Sequence, residues 1–141
     1  MSDEWYTPES LFNQLGVKFD LDVAAPKNNK GHVPADRKYT IEDDGLVQPW
    51  VGRVWMNPPY SKPTPWIDKW LNHNNGIALL PMAKSKWFNR IVESEAKFIV
   101  LPSTFKFESP EAKPLSLMMG STLWAIGKSN IEAIEKISKV R

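Results

Sequence analysis

The stretch GRVWMNPPYSKPTPWIDKWLNHNNGIALLP, residues 52–81, contains a strand, a helix and a second strand. GRVWM (52–56) reads as a short strand that ends at Asn57. Proline cannot donate to a sheet ladder, so Pro58 and Pro59 end this strand rather than continue it. PTPWIDKWLNHNNG places Trp66, Ile67, Trp70 and Leu71 on one side of a helix that stops near Gly76. IALLP is a continuous apolar run, the pattern of a strand covered on both faces. Asn57 and Tyr60 then stand on a stiff corner at a strand's C-terminal edge, where open α/β sheets bind their ligands.

The flanking sequence extends the alternation. DEWYTPESLFNQLG leads into a short helix with Thr7 as cap, Pro8 at the first helical position, Gly16 as stop, and Leu11, Phe12 and Leu15 on one face. KFDLDVAAP reads as a strand, Phe19, Leu21 and Val23 alternating with Asp20 and Asp22. The polar, turn-rich segment from Lys27 to Trp50 reads as a long functional loop. SKWFNRIVESEA is a helix with Trp87, Phe88, Ile91 and Val92 on one side, and KFIVLP is a strand. LSLMMGSTLWAIG reads as a hairpin or two strand segments, and a last helix carries Ile131, Ile134 and Ile137. Strands alternating with amphipathic helices give an α/β layered fold, with an antiparallel pair allowed among the later strands.

A chain of 141 residues, 42% of them apolar, suits one domain with one core. With no cysteine, disulfides, iron–sulfur clusters and thiolate zinc sites are excluded, and two histidines make a multi-histidine metal site unexpected. MSDEWYTPES lacks the blocks of a signal peptide, and no apolar run approaches the ~18 residues of a membrane span. A soluble cytoplasmic protein with no membrane partner is the expectation. Net charge is only +2, but KSKWFNR (84–90) and KFIVLPSTFKFE (97–108) mix lysine with aromatics, a combination that grips phosphates and stacks on bases.

The corner at 57–60 suits one kind of chemistry. Asn57 offers an amide oxygen, and the Pro58 carbonyl has no N–H at Pro59 to engage it. Two such acceptors can take both protons of a substrate amino group. An exocyclic amine of adenine is a poor nucleophile because its lone pair is delocalised, and acceptors out of the ring plane localise that pair. Tyr60 can stack on the base. Such a mechanism uses positioning and electrostatics rather than a tuned base.

NPPY resembles the catalytic motif of the amino methyltransferases, which use S-adenosylmethionine to methylate amino groups of adenine, cytosine or protein glutamine. DEWYTPESLFNQL, FDLDVAA, EDDGL, MNPPYS, KWFNRIV and FKFESPEAKPLSLMM occur in an order similar to that of the small phage-type, Dam-like DNA N6-adenine methyltransferases, a likeness covering roughly residues 3–126. It implies a Rossmann-like fold, a mostly parallel sheet with helices on both faces in one compact domain. It also implies S-adenosylmethionine as methyl donor with no metal, DNA as partner, and a phage or prophage protein in the cytoplasm of a bacterial host.

By that resemblance Thr7 and Pro8 sit at the methionine end of the cofactor, and Asp22 bonds its ribose or amino groups. Ala24 stands in the loop where most such enzymes carry glycines, and Asp44 contacts the cofactor adenine, with Asp43 as competitor. Asn57, Pro58, Pro59 and Tyr60 form the active site; Lys62, Lys84, Lys86 and Lys106 are DNA contacts. Trp87 and Phe88 are expected in the core. Two features depart from the pattern: no glycine follows the first strand until Gly31, and PSTFKF has Thr104 near the position where relatives often have arginine. The alternatives are methylation of another amino group (RNA adenine, cytosine or protein glutamine) and a degenerate fold that binds nucleic acid without chemistry.

Overall fold

The computed structural model describes residues 6–27, 31–83, 85–102, 105, 107–108, 114–115 and 120–141. The elements are α1 (Glu9–Leu15), β1 (Phe19–Asp22), β2 (Ala35–Lys38), β3 (Val54–Met56), α2 (Thr64–His73), β4 (Gly76–Pro81), α3 (Lys86–Val92), β5 (Lys97–Val100), β6 (Phe107–Glu108), β7 (Pro114–Leu115), β8 (Ser121–Ile126) and α4 (Lys128–Glu135). Six strands form one sheet in the order β2-β1-β3-β4-β8-β5, and β6 pairs with β7 in a separate ribbon.

The α/β expectation holds, but the sheet is mixed rather than mostly parallel. β2, β1, β3 and β4 run parallel, whereas β8 is antiparallel to both β4 and β5. No helix separates β5 from β8 among the described residues, so the chain returns without a helical crossover, as antiparallel neighbours do.

Side-chain alternation divides the core into two layers. On one face Trp55, Ile77, Leu79, Leu123 and Ala125 meet Leu11, Phe12 and Leu15 of α1 and Ala133 and Ile134 of α4. On the other, Val54, Met56, Ala78, Leu80, Trp124 and Ile126 meet Ile67 and Trp70 of α2 and Ile91 of α3. The continuous apolar run of β4 is buried on both faces, as its sequence predicts. Trp87 and Phe88 pack against the second layer, the Phe88 ring lying edge-on to Trp124 at 5.9 Å.

Four local expectations are corrected. Thr7 does not cap α1: Pro8 occupies the cap position without a side-chain bond, and Thr7 is buried. Gly16 does end α1, with φ +66 and its N–H bonded to the Phe12 carbonyl. The stretch read as one long loop contains β2, an edge strand whose Asp36 and Arg37 are exposed and so give no apolar alternation. Helix α2 stops at Asn74, which adopts φ +66, and Gly76 instead opens β4. In β1, the Asp20 and Leu21 N–H groups both point at the Arg53 carbonyl, at 2.8 and 3.4 Å. That shared acceptor marks a bulge, which breaks the expected alternation and leaves Asp22 buried.

Gly76 sets the closeness of β3 and β4. A β-carbon there would lie 2.6 Å from the Val54 carbonyl oxygen and 2.7 Å from its Cγ2. Gly76→Ala is expected to destabilise the fold by about 2 kcal/mol through this overpacking, as read by chemical denaturation; an unchanged midpoint would contradict the packing described.

Candidate active site

β1, β2 and β3 end on the same edge of the sheet, and β1 is where the order reverses, β2 lying on one side of it and β3 on the other. A crevice at such a reversal is the usual ligand position in an open α/β sheet. A cleft of about 610 Å³ opens there, and its lining includes Thr7, Asp22, Ala24, Asp44, Asn57 and Pro59. These six positions come from four separate segments.

The ladder explains the arrangement. Asp22 pairs with Trp55 in the β1–β3 register, so their side chains share a face, and Asn57 lies two residues beyond Trp55 on that same face. The Pro58–Pro59 pair ends the strand there, with Pro58 buried and Asn57 half-buried. Thr7 reaches the cleft from the segment before α1 and is 5% exposed.

Asp22 is the most perturbed acid described in the cleft. It is 2% exposed, and its Oδ1 accepts the Ala24 N–H at 3.2 Å. Burial pushes its carboxyl from 3.8 up to about 7, against the lowering effect of the Ala24 N–H and the Lys38 charge. A buried carboxylate of this kind favours a cationic or hydroxyl-bearing ligand group beside it.

The segment TIEDDGL divides its two aspartates. Asp43 turns inward on its own loop, its carboxylate accepting from the Thr40 N–H at 2.8 Å and the Thr40 hydroxyl at 3.3 Å. Asp44, exposed and in the left-handed region at φ +56, faces the cleft. Gly45 packs so tightly under β1 that a β-carbon would run into the Val23 carbonyl oxygen.

The remaining expected residues lie apart from this lining. Pro8 precedes α1, and Tyr60 packs against the α1-side core with its hydroxyl donating to the Leu79 carbonyl at 3.2 Å. Burial pushes the Tyr60 phenol upward. Lys62 and Lys86 are exposed, while Lys84 and Lys106 lie outside the described residues. Conversely, Trp55, Trp66, Ile41, His32 and Lys27 line the cleft without having been expected there. The sequence did carry a signal for Trp66. It occupies the first turn of α2, next to the strand edge, where a helix face emerges from the core.

The Asp22 shift predicts a pH dependence. Its folded-state value lies above the ordinary one, so the charged form weakens the fold: stability falls as pH rises from about 4 to about 7, and the loss is complete above that. In the ligand-free protein, Asp22→Asn is expected to melt with the parent at pH 4 and several degrees higher at pH 8. Equal melting at pH 8 would remove the buried charge from the account.

Comparison with known proteins adds the family. Residues 1–115 match the family model described as DNA N-6-adenine-methyltransferase (Dam). A DNA N-6-adenine-methyltransferase of Haemophilus phage HP1 (strain HP1c1) is 30% identical over 113 residues, covering 72% of this chain and 64% of the relative. Another, of Escherichia phage T1, is 34% identical over 108 residues, covering 69% of this chain and 44% of the relative. The chain thus spans less than two thirds of the length of either protein. No solved structure matches it. The family match covers β1 to β7, the cleft and the Asn57 corner, and the chain belongs to the DNA N-6-adenine-methyltransferase (Dam) family.

Proposed function

We propose that this chain transfers a methyl group from S-adenosylmethionine to the N6 amino group of adenine in DNA. The observation that carries the reading is the single cleft in which Asn57 and Pro59 meet Thr7, Asp22, Ala24 and Asp44 at the reversal of strand order. The parallel strands β2-β1-β3-β4 and the helices on both faces support a Rossmann-like reading of the fold.

The residues present fit the cofactor. The buried Asp22 carboxylate suits its ammonium or ribose hydroxyls, the exposed Asp44 carboxylate suits its adenine amine, and Ile41 and Trp66 offer apolar surface for a purine. The cleft is of a size that holds small molecules, within the roughly 300–1,000 Å³ range of such sites. When bound, the cofactor supplies an activated methyl group on sulfur.

The protein's own contribution is to hold the amine. Asn57 Oδ1 and the Pro58 carbonyl would accept hydrogen bonds from the two N6 protons, which turns the nitrogen lone pair out of the ring plane; after methylation the nitrogen releases one of these protons to solvent. Asn57 is uncharged at every working pH, so the arrangement acts by position and dipole. A paired adenine cannot reach such a cleft, and the base is extruded at a cost of a few kcal/mol. Aromatic surface offsets part of that cost. Tyr60, its hydroxyl bonded to the Leu79 carbonyl, stands outside the cleft lining, whereas Trp55 and Trp66 are part of it.

DNA reading falls to the loops on this edge. β5 runs parallel to β4, so the connection from Leu101 to Ser121, which includes β6 and β7, begins and ends on the Asn57 side. Lys62 and Lys86 are exposed and available to phosphates. No helix among the described residues is long and apolar enough to cross a membrane.

Asn57→Ala is expected to abolish methyl transfer to DNA, a loss of at least about a hundredfold in kcat of the kind seen when one oriented polar group is removed. Cofactor affinity by calorimetry should stay within about threefold. Near-normal turnover of this variant would overturn the assigned chemistry. Tyr60→Phe is expected to keep activity and lose about 1 kcal/mol of stability with the Leu79 bond; inactivity of a folded Tyr60→Phe protein would assign the hydroxyl a role in the reaction.

A further inference from the structure

The loop that carries Asp44 is gripped by one stripe of α2. Lys69 Nζ donates to the Leu46 carbonyl at 2.8 Å and to the Gln48 carbonyl, and it lies 5.1 Å from the centre of the Trp50 ring. Trp50 in turn donates its indole N–H to the Gly45 carbonyl at 2.8 Å and stacks on Trp66, with ring centres 6.4 Å apart. One turn further on, His73 Nε2 meets the Gly52 carbonyl at 2.7 Å. Residues 66, 69 and 73 lie three and four positions apart and so share a helix face. That face holds the chain from Gly45 to Gly52 at successive points.

The grip concerns Asp44 itself. Asp44 sits at φ +56, a conformation a non-glycine residue keeps only when its surroundings hold it there. Burial pulls the Lys69 ammonium below the ordinary lysine range, and the Asp44 carboxylate opposes that shift, so the two charges sense each other. A long ammonium side chain that satisfies two carbonyls and an aromatic face is a costly way to hold a surface turn, because burying a charge needs compensation. Helix α2 also begins only seven positions after Asn57, so the same rigid body carries the amine corner at one end and the loop anchor along its length.

We infer that Lys69 is a positioning residue for the cofactor. By bonding the Leu46 and Gln48 carbonyls it fixes the loop so that Asp44 is set for the cofactor purine before binding. This deepens the proposed function and rests on it. Without Lys69 the loop samples other arrangements, and the cost of ordering it appears in cofactor affinity rather than in the methyl-transfer step.

The test is a double-mutant cycle on the full chain, reading S-adenosylmethionine affinity by calorimetry and kcat on DNA at saturating cofactor. Lys69→Met, which keeps the stem and removes donors and charge, is expected to weaken affinity roughly tenfold, within the coupling range of residues in contact, and to leave kcat within about twofold. Lys69→Arg recovers most of the loss. In an Asp44→Ala background the same Lys69→Met change costs less than about twofold, because its partner is gone. Should the methionine variant not fold, Lys69→Gln takes its place in the cycle. Unchanged affinity in Lys69→Met, additive losses in the double variant, or a fall in kcat at unchanged affinity overturns the inference. If the parent binds no S-adenosylmethionine, or Asp44→Ala leaves its affinity unchanged, the cofactor reading of the cleft fails first, and the role of Lys69 with it.

Discussion

The hydrogen bond from the Val23 N–H to the Trp55 carbonyl, 3.1 Å long, is the last described rung between β1 and β3. Beyond it the two strands part. β1 turns away through Ala24 and Ala25, and β3 stops because two prolines follow Asn57. That rung fixes the register, and the register fixes which side chains share the cleft. A slip of one residue would turn Asp22 and Asn57 to opposite faces. The bulge at Asp20 and Leu21 serves the same end, since it is the extra residue that brings Asp22 into the Trp55 row.

From this rung the site divides into two parts of different stiffness. On the α1 side, Thr7, Asp22, Trp55 and Asn57 are attached to buried strands or core-packed chain, with little freedom to move. On the α2 side, Asp44 and Ile41 project from a turn, and Ile41 is 80% exposed despite being large and apolar. In the proposed reading, a cofactor purine covers this isoleucine. The proposed reaction needs both parts: a rigid acceptor to orient the amine, and a held but accessible loop to receive the cofactor.

How much of this the sequence reveals depends on how local the determining interaction is. The apolar β4 run, the proline pair and Gly16 each act within a few residues, and each is read correctly from the chain. The placement of Asp22, Asn57 and Asp44 in one cleft rests on strand order, which single-sequence periodicity does not contain; there it was the resemblance to a family that supplied the expectation. β2 escapes notice because an exposed edge strand of charged residues carries no alternation. Thr7 looks like a cap because its neighbours Pro8 and Glu9 suit a helix start, and only the fold shows its side chain buried beside the cleft. Asp43 and Asp44 are equivalent in sequence; in the fold the Thr40 bonds claim the first, while the second, at φ +56, faces the cleft. Lys69 gives no signal at all, since its carbonyl partners lie more than twenty residues away.

The most direct measurement of the central claim is the fate of the methyl group. Unmethylated plasmid DNA incubated with the chain and methyl-labelled S-adenosylmethionine, then digested to nucleosides, is predicted to carry the label in N6-methyladenosine of the deoxy series. Label confined to cytosine, to RNA or to protein, or no transfer from a cofactor that binds, would contradict the account.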